Sequence, residues 1–286
     1  MNELRAMIGP LVFTIGGEYP AAAHAVAALY GDSGITPAAH YRLDFRREKG
    51  PPFQPLPPPY SGERHLFRVE EEAQGGSLQC ESYFMRARLP LTGEAQATVV
   101  WRDCPPEHAP LLVHNVLRQW AACLLPGHGI VLLHAGGCVI KGRAVLFMAA
   151  SGTGKTTATA FCGARFPTLG DDIVALDCHG EFPAALPIAG FNPKAPPTAK
   201  ISRYPLGLLC RLAQAPVPQL TPLAPPEAVC ALISQSPFVN VRPALVEQVF
   251  DLLLPRIALL PVHHLALAND PGFIPLLEAA LTAKSQ

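Results

Sequence analysis

Apolar positions along the chain fall into two textures, which change near residue 125. In the first half, short apolar stretches alternate with polar ones. Residues 11–15 predict a strand, and 21–30 predict an alanine-rich helix ended by Gly31. Residues 65–70, 82–88 and 95–101 predict further strands, with Gly75-Gly76 and Thr92-Gly93 as hairpin punctuation. A helix is expected over 106–125, with Leu112, Val116, Trp120 and Cys123 near one face and Pro126-Gly127 as its stop. From residue 130 the runs are apolar throughout, at 130–133, 138–140 and 144–148. Strands without alternation suit a sheet covered on both faces. The expected architecture is α/β, with a smaller N-terminal α/β domain over 1–125 and a second domain over 126–286.

Composition narrows the classes. With 286 residues, 49% hydrophobic and 15% charged, the chain can bury sizeable cores and is not a disordered polymer. Its 22 basic residues balance 22 acidic ones, which leaves no electrostatic footprint for nucleic acid or an anionic membrane, and neither is expected as a partner. The 32 prolines cluster at 51–59, 193–197 and 216–226 and read as rigid loops. Eight scattered cysteines contain no C-x-x-C pair, so buried free thiols in a reducing compartment are expected rather than a metal site or disulfide framework. Gly16, Gly17, Glu18 and Pro20 interrupt the N-terminal apolar run, which is unlike a signal peptide, and the expected location is cytoplasmic.

The chemistry concentrates after the third apolar run. The strand over 143–148 leads into Ala149-Ala150-Ser151-Gly152-Thr153-Gly154-Lys155-Thr156, and a helix follows over 156–162, stopped by Gly163. A strand, a glycine loop and a helix in that order make a phosphate-binding loop: backbone N–H groups turn inward around an anion, and the helix N-terminus adds partial positive charge. Ala150, Ser151, Gly152, Thr153, Gly154, Lys155, Thr156 and Thr157 are the candidate nucleotide-binding residues. Lys155 faces the β- and γ-phosphates, and the Thr156 hydroxyl is placed for Mg²⁺. Ala149 stands where G-x-x-x-x-G-K-[ST] has its first glycine; were that position to need positive φ, alanine would be strained by about 1–2 kcal/mol.

Downstream, residues 168–176 read as a short strand edge carrying Asp171 and Asp172. Adjacent carboxylates suit a pair in which Asp171 holds Mg²⁺ and its neighbour takes the proton of an attacking hydroxyl. His134 ends the first apolar run and is a further candidate, whereas His263-His264 read as structural and Trp101 and Trp120 as core.

The stretch LLHAGGCVIKGRAVLFMAASGTGKTTATAFCGARFPTLGDDIVAL resembles the core of the HPr kinase/phosphorylase superfamily, especially its smaller HPr-kinase-related members. Its nucleotide-binding core is also similar to that of ATP-dependent phosphoenolpyruvate carboxykinase. The resemblance implies a P-loop kinase domain over 126–286 that uses ATP and Mg²⁺. It implies Lys155 and Thr156 at the phosphates, and His134, Asp171 and Asp172 at the reacting hydroxyl or metal. In Phe238-Val-Asn-Val-Arg-Pro243, Arg242 is implied on the transferred phosphate. The implied acceptor is a serine or threonine hydroxyl of a protein or peptide, recognised through residues 1–125, with a homo-oligomer left open. Two alternatives stand beside it: a small-molecule kinase with a deep closed pocket, and a nucleotide-gated binding module with negligible turnover.

Overall fold

A computed structural model describes residues 3–31, 34–57, 66–73, 75–150, 152–192, 195–200, 203–256, 259 and 262–283. The chain divides into two compact units, Met1–Leu124 and Leu125–Gln286, each mixed α/β. Among the described residues no helix is long and apolar enough to cross a membrane.

The first unit contains β1 (Leu4–Ile8), β2 (Leu11–Gly17), α1 (Ala23–Leu29), β3 (Ala39–Arg47), β4 (Arg68–Glu71), β5 (Ser77–Glu81), β6 (Met85–Pro90), β7 (Gln96–Trp101) and α2 (Ala109–Leu124). Its sheet has the order β1-β2-β3-β7-β6-β5-β4, parallel at β2–β3 and β3–β7 and antiparallel elsewhere. The buried stripe of α2 carries Trp120, whose ring meets Phe13 and Tyr41 at centroid distances of 5.6 and 5.2 Å. Its indole N–H donates to the Pro90 carbonyl at 2.6 Å, so the polar edge of this core residue is satisfied.

Three expectations change here. Residues 82–88 do not form one strand: Ser82 lies in the turn between β5 and β6, its N–H donating to Met85 O at 2.8 Å. The nine-residue β3 was hidden because only Leu43 and Phe45 of AHYRLDFRR are fully buried while its arginines stay outside. Trp101 is partly exposed, donating its indole N–H to Glu18 O under the Arg47 guanidinium. The expected strand start at His65 lies outside the described residues. Six of the cysteines are buried as expected, but Cys104 is half-buried and Cys230 exposed.

The second unit comprises β8 (Ile130–Leu133), β9 (Ala135–Ile140), β10 (Arg143–Met148), α3 (Lys155–Gly163), β11 (Thr168–Gly170), β12 (Val174–Asp177), β13 (Ala184–Leu186), β14 (Tyr204–Gln214), β15 (Gln219–Pro222), α4 (Pro225–Ser234), α5 (Pro243–Leu253), β16 (Val262–Leu267) and α6 (Ile274–Ala283). The strands run β11-β9-β10-β14-β13-β12-β8, with β16 beside β14 and β15 on β16. Every residue of β8 and β9 is buried, and all but the first of β10, as continuous apolar runs require. Val145, Phe147, Leu208, Leu265, Phe273 and Leu277 form the centre of one core.

Strand polarity decides where a site can form. β10, β14 and β16 are mutually parallel, and β11 runs with them because β11 and β10 are both antiparallel to β9. The carboxyl ends of four strands and the start of β9 therefore share one edge. Ligands of open α/β sheets bind at such edges.

Candidate active site

At that edge, buried Met148 ends β10, and α3 begins at Lys155 with Gly154 as its N-cap. Gly152 (φ 78°) and Gly154 (φ 111°) supply the left-handed conformations. A Cβ at either would meet nothing within 4 Å, so conformation rather than crowding calls for glycine there. Among described residues other than glycine, positive φ occurs only at Lys141 and Phe238. Ala149 is therefore unstrained, because the turn has moved its demanding positions to Gly152 and Gly154.

Gly154 is the N-cap of α3 and offers no side chain to its first amides, which leaves them to an anion. Lys155 is 7% exposed and folds back over the loop, its Nζ donating to Ala149 O at 2.6 Å and Ala150 O at 3.4 Å. Burial lowers its pKa below the ordinary lysine value, against the opposing pull of Asp172. Thr156 is exposed at the first turn of α3, and Thr153 and Thr157 are half-buried. Ser151 lies outside the described residues.

The acidic pair does not sit on one strand edge. β11 pairs with β9 and β12 pairs with β8, and Asp171 and Asp172 occupy the turn between them. His134 occupies the matching bend between β8 and β9. Register thus brings the two bends together: Val174 faces Leu133 and Gly170 faces Gly137. His134 Nε2 lies 3.2 Å from Asp172 Oδ1, with side chains 38% and 48% exposed.

Asn192, 1% exposed, holds the acidic turn from beneath. Its Oδ1 accepts the N–H groups of Asp171, Asp172 and Ile173 at 3.1, 2.8 and 3.1 Å. Its Nδ2 donates to Ile173 O and Ile188 O at 2.7 and 3.0 Å. Gly170 lets it approach: a Cβ there would fall 2.6 Å from the Asn192 amide, and its φ is +124°. Gly136 does the same for α3, since its Cβ would fall 2.2 Å from Thr159 Oγ1.

Gln235, just past α4, joins the histidine bend to the loop. Its carbonyl accepts from His134 N at 2.6 Å. With its amide nitrogen turned toward the neighbouring carbonyls, it donates to His134 O at 3.2 Å and Ala149 O at 3.0 Å. Arg242 is the N-cap residue of α5, its N–H donating to Val239 O at 3.3 Å. On the opposite flank of the loop a cleft of about 600 Å³ opens between Thr153 and Thr157 and the carboxyl ends of β14 and β16.

No family model and no curated protein matches this chain. Among solved structures it is similar to the HPr(Ser) kinase/phosphatase from Coxiella burnetii, at 12% identity, over 54% of this chain and 95% of that one, with a TM-score of 0.30.

The edge therefore brings together Lys155, His134, Asp171 and Asp172 around the loop, with Arg242 on a separate element. Asn192 and Gln235 were missed by sequence reasoning. An asparagine in a proline-rich loop and a glutamine at a helix end carry no local signal, because their partners lie far away along the chain.

Proposed function

We propose that this chain is an ATP-dependent phosphotransferase that moves a γ-phosphoryl group to a serine or threonine hydroxyl of a protein or peptide. The observation that carries the reading is one sheet edge holding a glycine loop with a buried lysine beside a His134–Asp172 pair. Lys155 suits an anion: its ammonium rests on two neutral carbonyls rather than in a carboxylate pair, so a phosphate oxygen offers it a stronger partner. The uncapped start of α3 favours the same anion.

Exposed Thr156 and half-buried Asp171 supply the oxygen donors a magnesium ion prefers. Mg²⁺, when bound, would neutralise charge on the phosphates. Asp172 takes the proton of the acceptor hydroxyl, and His134 orients that carboxylate through Nε2. The acceptor oxygen forms the new bond to phosphorus as the bond to the bridging β,γ-oxygen breaks, and ADP leaves. Arg242 is assigned to the transferred phosphate. The partial exposure of both His134 and Asp172 supports an acceptor hydroxyl presented by a macromolecule, where a small-molecule kinase would enclose its substrate. Recognition of that macromolecule is assigned to residues 1–125.

Incubation with γ-labelled ATP and a seryl/threonyl peptide library tests the reading. Transfer of label by the wild type, lost in Lys155→Ala and in Asp172→Asn, is expected. Undiminished transfer by both variants overturns it.

A further inference from the structure

Where the β9–β10 ladder ends, two carbonyls need donors. Its last pair is Ala135 and Met148, and the next residues in that register are His134 and Ala149. His134 stands alone between β8 and β9 and belongs to neither strand. Ala149, 5% exposed, is the first residue beyond β10. A carbonyl left without a donor at so buried a position carries the full cost of its lost hydration.

The end of α4 supplies the donors. Ser236 Oγ and the N–H of Gln235 both donate to Leu232 O, at 3.0 and 3.1 Å, and Ser236 N donates to Ile233 O at 3.1 Å. These bonds satisfy the last carbonyls of the helix and fix the turn that carries Gln235. Gln235 then meets the end of the ladder with both of its polar groups. Its main-chain carbonyl takes the His134 N–H at 2.6 Å. Its side-chain nitrogen has two hydrogens and serves two acceptors, His134 O at 3.2 Å and Ala149 O at 3.0 Å. Ala149 O also accepts from Lys155 Nζ at 2.6 Å, and His134 Nε2 stands 3.2 Å from Asp172 Oδ1. A continuous chain of contacts thus runs from Lys155 through Ala149, Gln235 and His134 to Asp172.

We propose that Gln235 is a positioning residue for phosphoryl transfer, its amide tying the lysine that faces phosphate to the histidine that orients the proton acceptor. This rests on the phosphotransfer reading above. A phosphate oxygen competes with Ala149 O for the Lys155 ammonium. Because Gln235 also donates to that buried carbonyl, the lysine can turn to phosphate without orphaning it. At the other end, the imidazole can hold the Asp172 carboxylate only if its own backbone is held, and Gln235 grips both the N–H and the C=O of His134. Gln235 takes no part in bond making; it acts through these two residues. The turn after α4 is fixed by its main chain and by Ser236, so the amide can be removed without unmaking it.

Two substitutions in the full chain test this. Gln235→Met keeps the side chain's length and removes both N–H donors, and Gln235→Glu sets acceptors against the same two carbonyls. Transfer from γ-labelled ATP with Mg²⁺ to seryl/threonyl peptides is followed at saturating ATP, and ATP binding is measured by calorimetry. Both variants should transfer at least about tenfold more slowly than wild type, since misplacing a reacting group by about 1 Å can cost about 100-fold. The peptide KM should stay within about twofold, because the amide acts on the chemical step and holds neither substrate. ATP should still bind at full stoichiometry, which a partly unfolded variant would lose. Wild-type turnover in either variant, a loss confined to peptide KM, or a slower rate matched by an equal loss of ATP stoichiometry overturns the positioning role and leaves the phosphotransfer reading standing. Failure of the wild type itself to transfer label overturns that reading, and this inference with it.

Discussion

Replacing Asn192 with alanine removes five hydrogen bonds at once from a side chain that is 1% exposed. The five do not count equally. The amides of Asp171 and Asp172 belong to half-buried residues, where water can replace Oδ1. The N–H and C=O of Ile173, a residue 3% exposed, lose the Asn192 amide without replacement, whereas the C=O of Ile188 still accepts from the Phe191 N–H at 3.3 Å. At about 1–3 kcal/mol for each orphaned buried group, and with partial relaxation, the second unit should lose roughly 2–4 kcal/mol. Asn192→Asp keeps an acceptor for the three amides but loses both donors, and should fall between. Urea denaturation followed by far-UV circular dichroism reads the loss. Tryptophan emission is an internal reference, since Trp101 and Trp120 both lie in the first unit. Hydrogen exchange at residues 171–173 should rise in parallel. An Asn192→Ala protein within about 1 kcal/mol of wild type, with unchanged exchange at that turn, would refute the clamp.

Three further outcomes are expected. Lys155→Met should abolish ATP binding by calorimetry. Burial holds this lysine below its ordinary value of 10.5, so the unfolded chain binds the proton more tightly and wild-type stability rises as pH climbs toward 10.5; the variant should lose that rise in denaturation followed from neutral pH up to 10.5. Asp177 is pushed up by burial but held below 3.8 by Arg203 and His179, both donating at 2.8 Å. Asp177→Asn should cost about 1–3 kcal/mol at pH 7, a difference that shrinks in urea melts as pH falls through the carboxylate's lowered value. Gly136→Ala sets a Cβ 2.2 Å from Thr159 Oγ1, so α3 must shift on β9; about 1–3 kcal/mol of stability and part of the ATP affinity should go together, read by melting and calorimetry on the same sample.

Short-range features were legible in the amino-acid sequence. Continuous apolar runs marked β8, β9 and β10 because a sheet covered on both faces tolerates no polar position. The strand, the glycine loop and the helix after it could be read as one unit, since their conformations are set by neighbours along the chain. In the first unit, β3 escaped because charged residues on its outer side outnumber its two fully buried apolar residues. Tertiary structure decided everything that depends on distant partners. Asp171 and Asp172 resembled part of one strand edge, yet the halves on either side pair with different strands, and only that division turns the carboxylates toward His134. Asn192, Gln235 and the cleft at the ends of β14 and β16 share this character. Their meaning lies in hydrogen bonds and walls formed between separate segments, which no local pattern of residues encodes until parallel pairing brings the strand ends to one edge.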